Sequence, residues 1–72
     1  MLKLQPMKNN IKVQRAINGL TQEDLANKVS VSRQTINAME ANKYVPSTVL
    51  ALKIAREFGK LVEDIFLLES TD

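Results

Sequence analysis

Residues 22–40, QEDLANKVSVSRQTINAME, hold the pattern from which the rest of the chain can be read: two short helices joined by a tight turn. Thr21 stands where its hydroxyl can accept from the backbone N–H of Asp24. Asp24 stands where its carboxylate can reach back and meet the positive helix end, and together they open a helix. Leu25 and Val29 fall one turn apart on one face, beside Ala26, which is small enough to let a second helix approach. That helix must stop near Ser30, and Ser32 can cap the next one. In the next helix Ile36, Met39 and Glu40 point inward, whereas Gln34, Asn37, Ala38 and Ala41 point out. An inward apolar stripe with an outward amide-rich stripe lets a helix pack by one side and hydrogen-bond base edges with the other.

Outside this stretch the glycines and prolines punctuate the chain. A helix from about Asn10 to Asn18 ends at Gly19 and is expected to bury Ile11, Val13 and Ile17. Pro46 and Ser47 form a stop-and-cap signal for a helix that runs to Phe58 before Gly59, and a last short helix spans about Val62 to Phe66. The helix after Ser47 is apolar over a wide arc, from Val49 through Leu50, Ala51, Leu52, Ile54 and Ala55 to Phe58. With Leu61, Ile65, Leu67 and Leu68 following, a monomer would expose apolar area of the kind that marks an interface, so homodimerisation through this C-terminal region is expected. Residues 1–6 read equally as a strand, through the alternation of Leu2, Lys3 and Leu4, as a frayed tail, or as an extension ahead of a start at Met7.

Seventy-two residues make a single domain, 1–72, with a small core. The chain has no cysteine, which suits a reducing cytoplasm, and no apolar run long enough for a signal sequence or membrane span. Net charge is +2 but unevenly placed. Residues 1–60 hold all ten Lys and Arg against Glu23, Asp24, Glu40 and Glu57, leaving +6, while residues 61–72 hold only Glu63, Asp64, Glu69 and Asp72, leaving −4. A polyanion is attracted to the first part and repelled by the last. Without His, Cys or a Gly-rich phosphate loop, the chain has no parts for acid–base, nucleophilic or metal chemistry, and no cofactor, metal or small-molecule ligand is implied.

Gln22, Ala26, Val29, Val31, Ile36 and Met39 resemble the helix-turn-helix of the phage repressor and Cro-like (xenobiotic-response-element) regulators. GLTQEDLANKVSVSRQTINAME, NKYVPSTVLALKIAREFG and VEDIF follow that family in order over roughly residues 9–66, most similarly to short cytolysin-repressor-type members. The resemblance implies an all-α, five-helix lambda-repressor-like DNA-binding domain. In some relatives the segment at 66–69 pairs with an N-terminal strand to form a terminal β-hairpin. Ser30 and Asn42 stand where the family favours Gly, and Leu61 where it favours Ser or Thr.

The same resemblance implies a cytoplasmic homodimeric regulator, a repressor, on a pseudo-palindromic double-stranded DNA operator. Gln22 begins the second helix, where its amide and the first-turn N–H groups can meet a phosphate. Arg33 can bridge guanine O6 and N7, Gln34 can pair with adenine N6 and N7, and Asn37 lies beside Gln34. Thr35 offers a hydroxyl, Ala38 can meet a thymine methyl, Ser32 stands at the same helix end, and Lys43 follows where the family contacts phosphate. Arg15 and Glu40 match family positions whose side chains pair between the first and third helices. An antitoxin-like or bridging protein-interaction module on the same fold is the alternative.

Overall fold

The structure, a computed structural model, describes residues 8–68. Its elements are β1 (Lys8–Asn9), α1 (Ile11–Asn18), α2 (Gln22–Val29), α3 (Arg33–Glu40), α4 (Thr48–Phe58), α5 (Val62–Ile65) and β2 (Phe66–Leu67). The helix starts follow the local chemistry. Asp24 N–H donates to Thr21 Oγ1 and Thr21 N–H donates to Asp24 Oδ2, each at 3.0 Å, a reciprocal cap on α2. Hydrogen bonding by Thr21, from its backbone N–H first and its hydroxyl second, holds the Asp24 carboxyl below its ordinary range. Ser32 caps α3 by accepting from Thr35 N–H at 3.2 Å, and Ser47 caps α4 by accepting from Leu50 N–H at 3.2 Å. At α5 only half of such a cap exists: Leu61 N–H donates to Asp64 Oδ2 at 3.3 Å, and the leucine has no acceptor to return.

One apolar cluster joins all five helices and β2: Ile11, Leu25, Ala26, Val29, Ile36, Met39, Leu50, Ile54, Ala55, Phe58, Ile65 and Phe66. α2 packs on α3 and α4, and α4 packs on α5. The chain ends of the bundle meet in a two-stranded antiparallel ladder, with Lys8 opposite Leu67 and Asn9 opposite Phe66. The hairpin is therefore present, with its N-terminal strand at Lys8–Asn9; Leu2–Leu4 lie outside the described residues. The last helix ends one residue short of expectation, because Phe66 is already extended (φ −110°, ψ 118°).

Two expectations about burial are corrected. Val13 and Ile17 are 56% and 70% exposed, and only Ile11 of the three is in the core. Ile11 and Val13 are two residues apart, about 200° around a helix, so they cannot share a face. α1 turns Ile11, Gln14 and Arg15 toward the bundle instead. Ile65, expected in an intersubunit face, is 0% exposed within its own chain and belongs to the core. It is the one buried residue of a four-residue helix packed on α4.

Between α1 and the end of α3 lies a nearly buried ion pair. Arg15 Nε and Nη2 donate to Glu40 Oε2 and Oε1 at 2.6 and 3.0 Å, and the side chains are 14% and 8% exposed. Arg15 Nη1 also donates to the Leu20 carbonyl at 3.0 Å, so the guanidinium bridges the end of α1 to α3. The bond to Glu40 raises the arginine pKa above its ordinary value against the opposing effect of burial.

Among the described residues, two that are not glycine hold a left-handed backbone. Ser30 (φ 63°) and Asn42 (φ 59°) adopt the left-handed conformation that Gly19 and Gly59 supply elsewhere. A left-handed conformation costs an ordinary L-residue about 1–2 kcal/mol, and Asn tolerates it better than Ser. Asn42 also accepts from Asn9 Nδ2 at 3.2 Å, a bond that glycine would lose. Ser30→Gly should therefore raise stability by about 1 kcal/mol, an increase in Tm of about 4–8 °C for a domain this size. Asn42→Gly should gain less than half of that in parallel melts; equal gains would mean that the Asn42 side chain contributes nothing. For the ion pair, Glu40→Ala leaves the Arg15 charge nearly buried and should cost about 3 kcal/mol. The double change Arg15→Met with Glu40→Leu leaves apolar groups there and should cost less, and urea titration of the three proteins would reverse that order if the pair were a solvated surface contact.

Candidate nucleic-acid interface

α3 is held on one side and at one end, and presents the other side to solvent. Ile36 and Met39 are buried against α2, while Arg33, Gln34 and Asn37 are exposed and Thr35 and Ala38 are half-buried. Arg33 and Gln34 occupy the first turn, where the helix backbone carries its positive end. This is the orientation expected from the helical period. Lys43 is exposed just beyond α3, and its backbone N–H closes on the Ala38 carbonyl at 2.9 Å. The Ser32 and Thr35 hydroxyls lie 2.9 Å apart, so each already has one partner within the helix turn.

Gln22 sits differently from expectation. Its Nε2 donates to Asn37 Oδ1 at 3.2 Å and to Glu40 Oε1 at 3.1 Å, and its Oε1 accepts from Arg33 Nη1 at 3.5 Å, the outer limit of such a bond. Both amide hydrogens are thus engaged inside the protein. The side chain that was expected to face a phosphate links α2 to three residues along α3, two of them among the proposed base-reading side chains. Glu40 accordingly receives hydrogen bonds from Arg15 and Gln22 together.

A second polar anchor was not anticipated from the sequence. Asn9 Nδ2 donates to the Met39 carbonyl at 2.7 Å and to Asn42 Oδ1 at 3.2 Å, while its Oδ1 accepts from Ile11 N–H at 3.2 Å. β1 thereby ties the carboxyl end of α3 to the terminal ladder. The next residue continues the seam: Asn10 N–H donates to the Ile65 carbonyl at 3.0 Å, and Asn10 Nδ2 to the Asp64 carbonyl at 2.8 Å. The only local signal was a pair of asparagines ahead of α1, and that does not specify partners thirty residues away.

The described carboxylates form no group of three or more that could hold a metal ion, and no described helix is long and apolar enough to cross a membrane. Of the acidic C-terminal residues, Glu63 and Asp64 are exposed on α5, an element that packs on α4; Glu69 and Asp72 lie outside the described residues. The expected interface residues other than Ile65 are exposed: Leu61, Leu67 and Leu68.

The helix-turn-helix family model matches residues 11–65, which takes in every helix described above. An uncharacterized HTH-type transcriptional regulator of Methanocaldococcus jannaschii is 58% identical over 66 residues, spanning 92% of this chain and all of the relative. Another uncharacterized HTH-type transcriptional regulator, from Bacillus subtilis, is 51% identical over 63 residues, 88% of this chain and 96% of its own. Among solved structures, a "putative DNA-binding protein" from Bacteroides fragilis superposes with a TM-score of 0.75 at 30% identity, covering 83% of this chain and 97% of that one. With two capped helices meeting across the turn at Ser30 and a model match over most of its length, the chain belongs to the helix-turn-helix family, of the repressor and Cro-like type.

Proposed function

We propose that this protein is a sequence-specific regulator of transcription, a repressor, that binds a pseudo-palindromic operator as a homodimer with α3 in the major groove of double-stranded DNA. The observation that carries this reading is the division of α3 into an anchored face and an open one: Ile36, Met39 and Glu40 are held, and Arg33, Gln34 and Asn37 are presented. Arg33 is given the role of bridging a guanine, and Gln34 that of pairing with an adenine. Asn37 reads beside Gln34, and Ala38 meets a thymine methyl. Ser32 and Thr35 contact the backbone at the helix entry, and Lys43 neutralises a phosphate. Gln22 approaches the backbone through the α2 terminus while its side chain sets the angle of Arg33 and Asn37.

Charge supports the same orientation: Arg33 at the start of α3 and Lys43 just beyond its end are exposed, and the acidic C-terminal stretch repels a polyanion. Both relatives above are named as transcriptional regulators. Repression is the regulatory sign that occupancy alone delivers, because a bundle seated on an operator excludes other proteins from it. The cytoplasm is the compartment in which a cysteine-free DNA-binding chain meets its operator.

Selection of bound sites from a random duplex library tests the reading. It should yield two inverted half-sites centred about one helical turn apart, roughly 34–36 Å. A selection without two-fold symmetry contradicts the dimer, and one that enriches no sequence contradicts base reading altogether. On the selected operator, Gln34→Ala and Arg33→Ala should each lose about 1–3 kcal/mol of discrimination at particular base pairs. Affinity for random duplex should fall for Arg33→Ala, which removes a charge, and change little for Gln34→Ala. A preference matrix unchanged at every position in Gln34→Ala places a different surface in the groove.

A further inference from the structure

Ala41, Asn42 and Lys43, which follow α3, add no side chain to the apolar cluster, so hydrogen bonds hold the turn they form. Asn42 N–H donates to the Met39 carbonyl at 3.0 Å and Lys43 N–H to the Ala38 carbonyl at 2.9 Å, the two bonds of a helix-ending turn with Asn42 left-handed at its centre. The Asn9 amide closes over this turn from β1. Its Nδ2 reaches the same Met39 carbonyl at 2.7 Å and Asn42 Oδ1 at 3.2 Å, and its Oδ1 is occupied by Ile11 N–H, so the group has no hydrogen left for another partner. Both α1 and α4 end at a left-handed glycine, and a turn that had only to end α3 could use the same residue. At Asn42 the chain takes up that conformation with a side chain, and the contact this side chain makes is with Asn9.

What the clasped turn presents is Lys43, which is exposed and forms no ion pair with a described carboxylate. It follows the opposite end of α3 from Arg33 and Gln34, about 12 Å away along the axis of an eight-residue helix. A backbone contact there fixes the tilt of a helix whose first turn lies against the bases. Lysine is a point charge on a flexible four-carbon stem, so a fixed backbone beneath it removes part of the freedom that the contact must otherwise freeze. We propose that Asn9 is a positioning residue for DNA binding: by clasping the turn after α3 it holds the Lys43 ammonium against a phosphate. Asn9 itself touches no DNA. This rests on the reading of α3 as the helix in the groove, and it gives that site a residue from β1, thirty residues before the turn it controls.

Binding of the full chain to the selected operator, followed across a salt series, tests this with Lys43→Gln, Asn9→Ala and Asn42→Gly. If no operator is selected, the same series on random duplex decides, because a phosphate contact needs no sequence. Lys43→Gln should make the slope of log affinity against log salt shallower by about 1 for each copy bound, the mark of one phosphate contact. Asn9→Ala should make it shallower too, although it removes no charge, and the double variant with Lys43→Gln should bind no more weakly than Lys43→Gln alone. Asn42→Gly separates position from stability: it should melt no lower than the unaltered chain and still bind duplex more weakly, with a shallower slope. Should Asn9→Ala fail to fold, Asn42→Gly and its double variant with Lys43→Gln carry the test. Binding that follows melting temperature through the series, or losses that multiply in the double variants, would overturn the inference and leave Asn9 as a brace for the fold. So would a slope that Lys43→Gln leaves unchanged, or one that Lys43→Gln lowers and the clasp variants do not, and in either case the DNA reading stands. An unaltered chain that binds neither duplex would remove that reading, and this inference with it.

Discussion

The Glu40 carboxylate is the constraint on which the recognition surface depends. It sits in the last turn of α3, 8% exposed, and accepts from Arg15 of α1 and Gln22 of α2. A carboxylate in that place is costly unless fully partnered, and the elements that partner it must then hold a set distance and angle. The ion pair returns little net stability, yet it removes rotational freedom from α3 that apolar packing at Ile36 and Met39 leaves partly open. Apolar contact is non-directional; a bidentate guanidinium is not. Orientation matters to the proposed role, because side chains that hydrogen-bond base edges must be held to a fraction of an ångström.

The same logic runs through the other polar contacts. Gln22 joins Glu40, Asn37 and Arg33, so a residue at the start of α2 couples the anchored end of α3 to the end that carries the open side chains. Asn9 holds the Met39 carbonyl from the opposite direction and, through β1 and β2, connects α3 to the C-terminal segment bearing Leu67 and Leu68. That segment and the face assigned to DNA are thus joined by a short ladder and one asparagine. In a domain with so small a core, such hydrogen bonds give direction to packing that the apolar cluster supplies without it.

Much of this arrangement could be read from the chain because its punctuation is local. Thr21 with Asp24, Ser32 and Ser47 each begin a helix for reasons contained within four residues, and Gly19 and Gly59 end helices through a conformation glycine reaches freely. The left-handed turns at Ser30 and Asn42 were legible as positions where the family favours glycine. The face of α1 was misread because Ile11, Val13 and Ile17 look like an apolar set, although two of them lie opposite the first. Ile65 was assigned to the surface because a single turn of helix has no periodicity to reveal its inward side. Asn9 was overlooked since its partners follow from how the chain ends meet, and no local pattern encodes that meeting. The open face of α3 was legible from its period, whereas the inward engagement of Gln22 depends on the crossing of α2 and α3.

Amide chemical-shift mapping during titration with a selected duplex tests the central claim most directly. The account predicts shifts concentrated at residues 32–38, at the start of α2 and around Lys43, with α5 unmoved once the protein is dimeric. Shifts centred on α4 and α5, with the first turn of α3 unaffected, would contradict it.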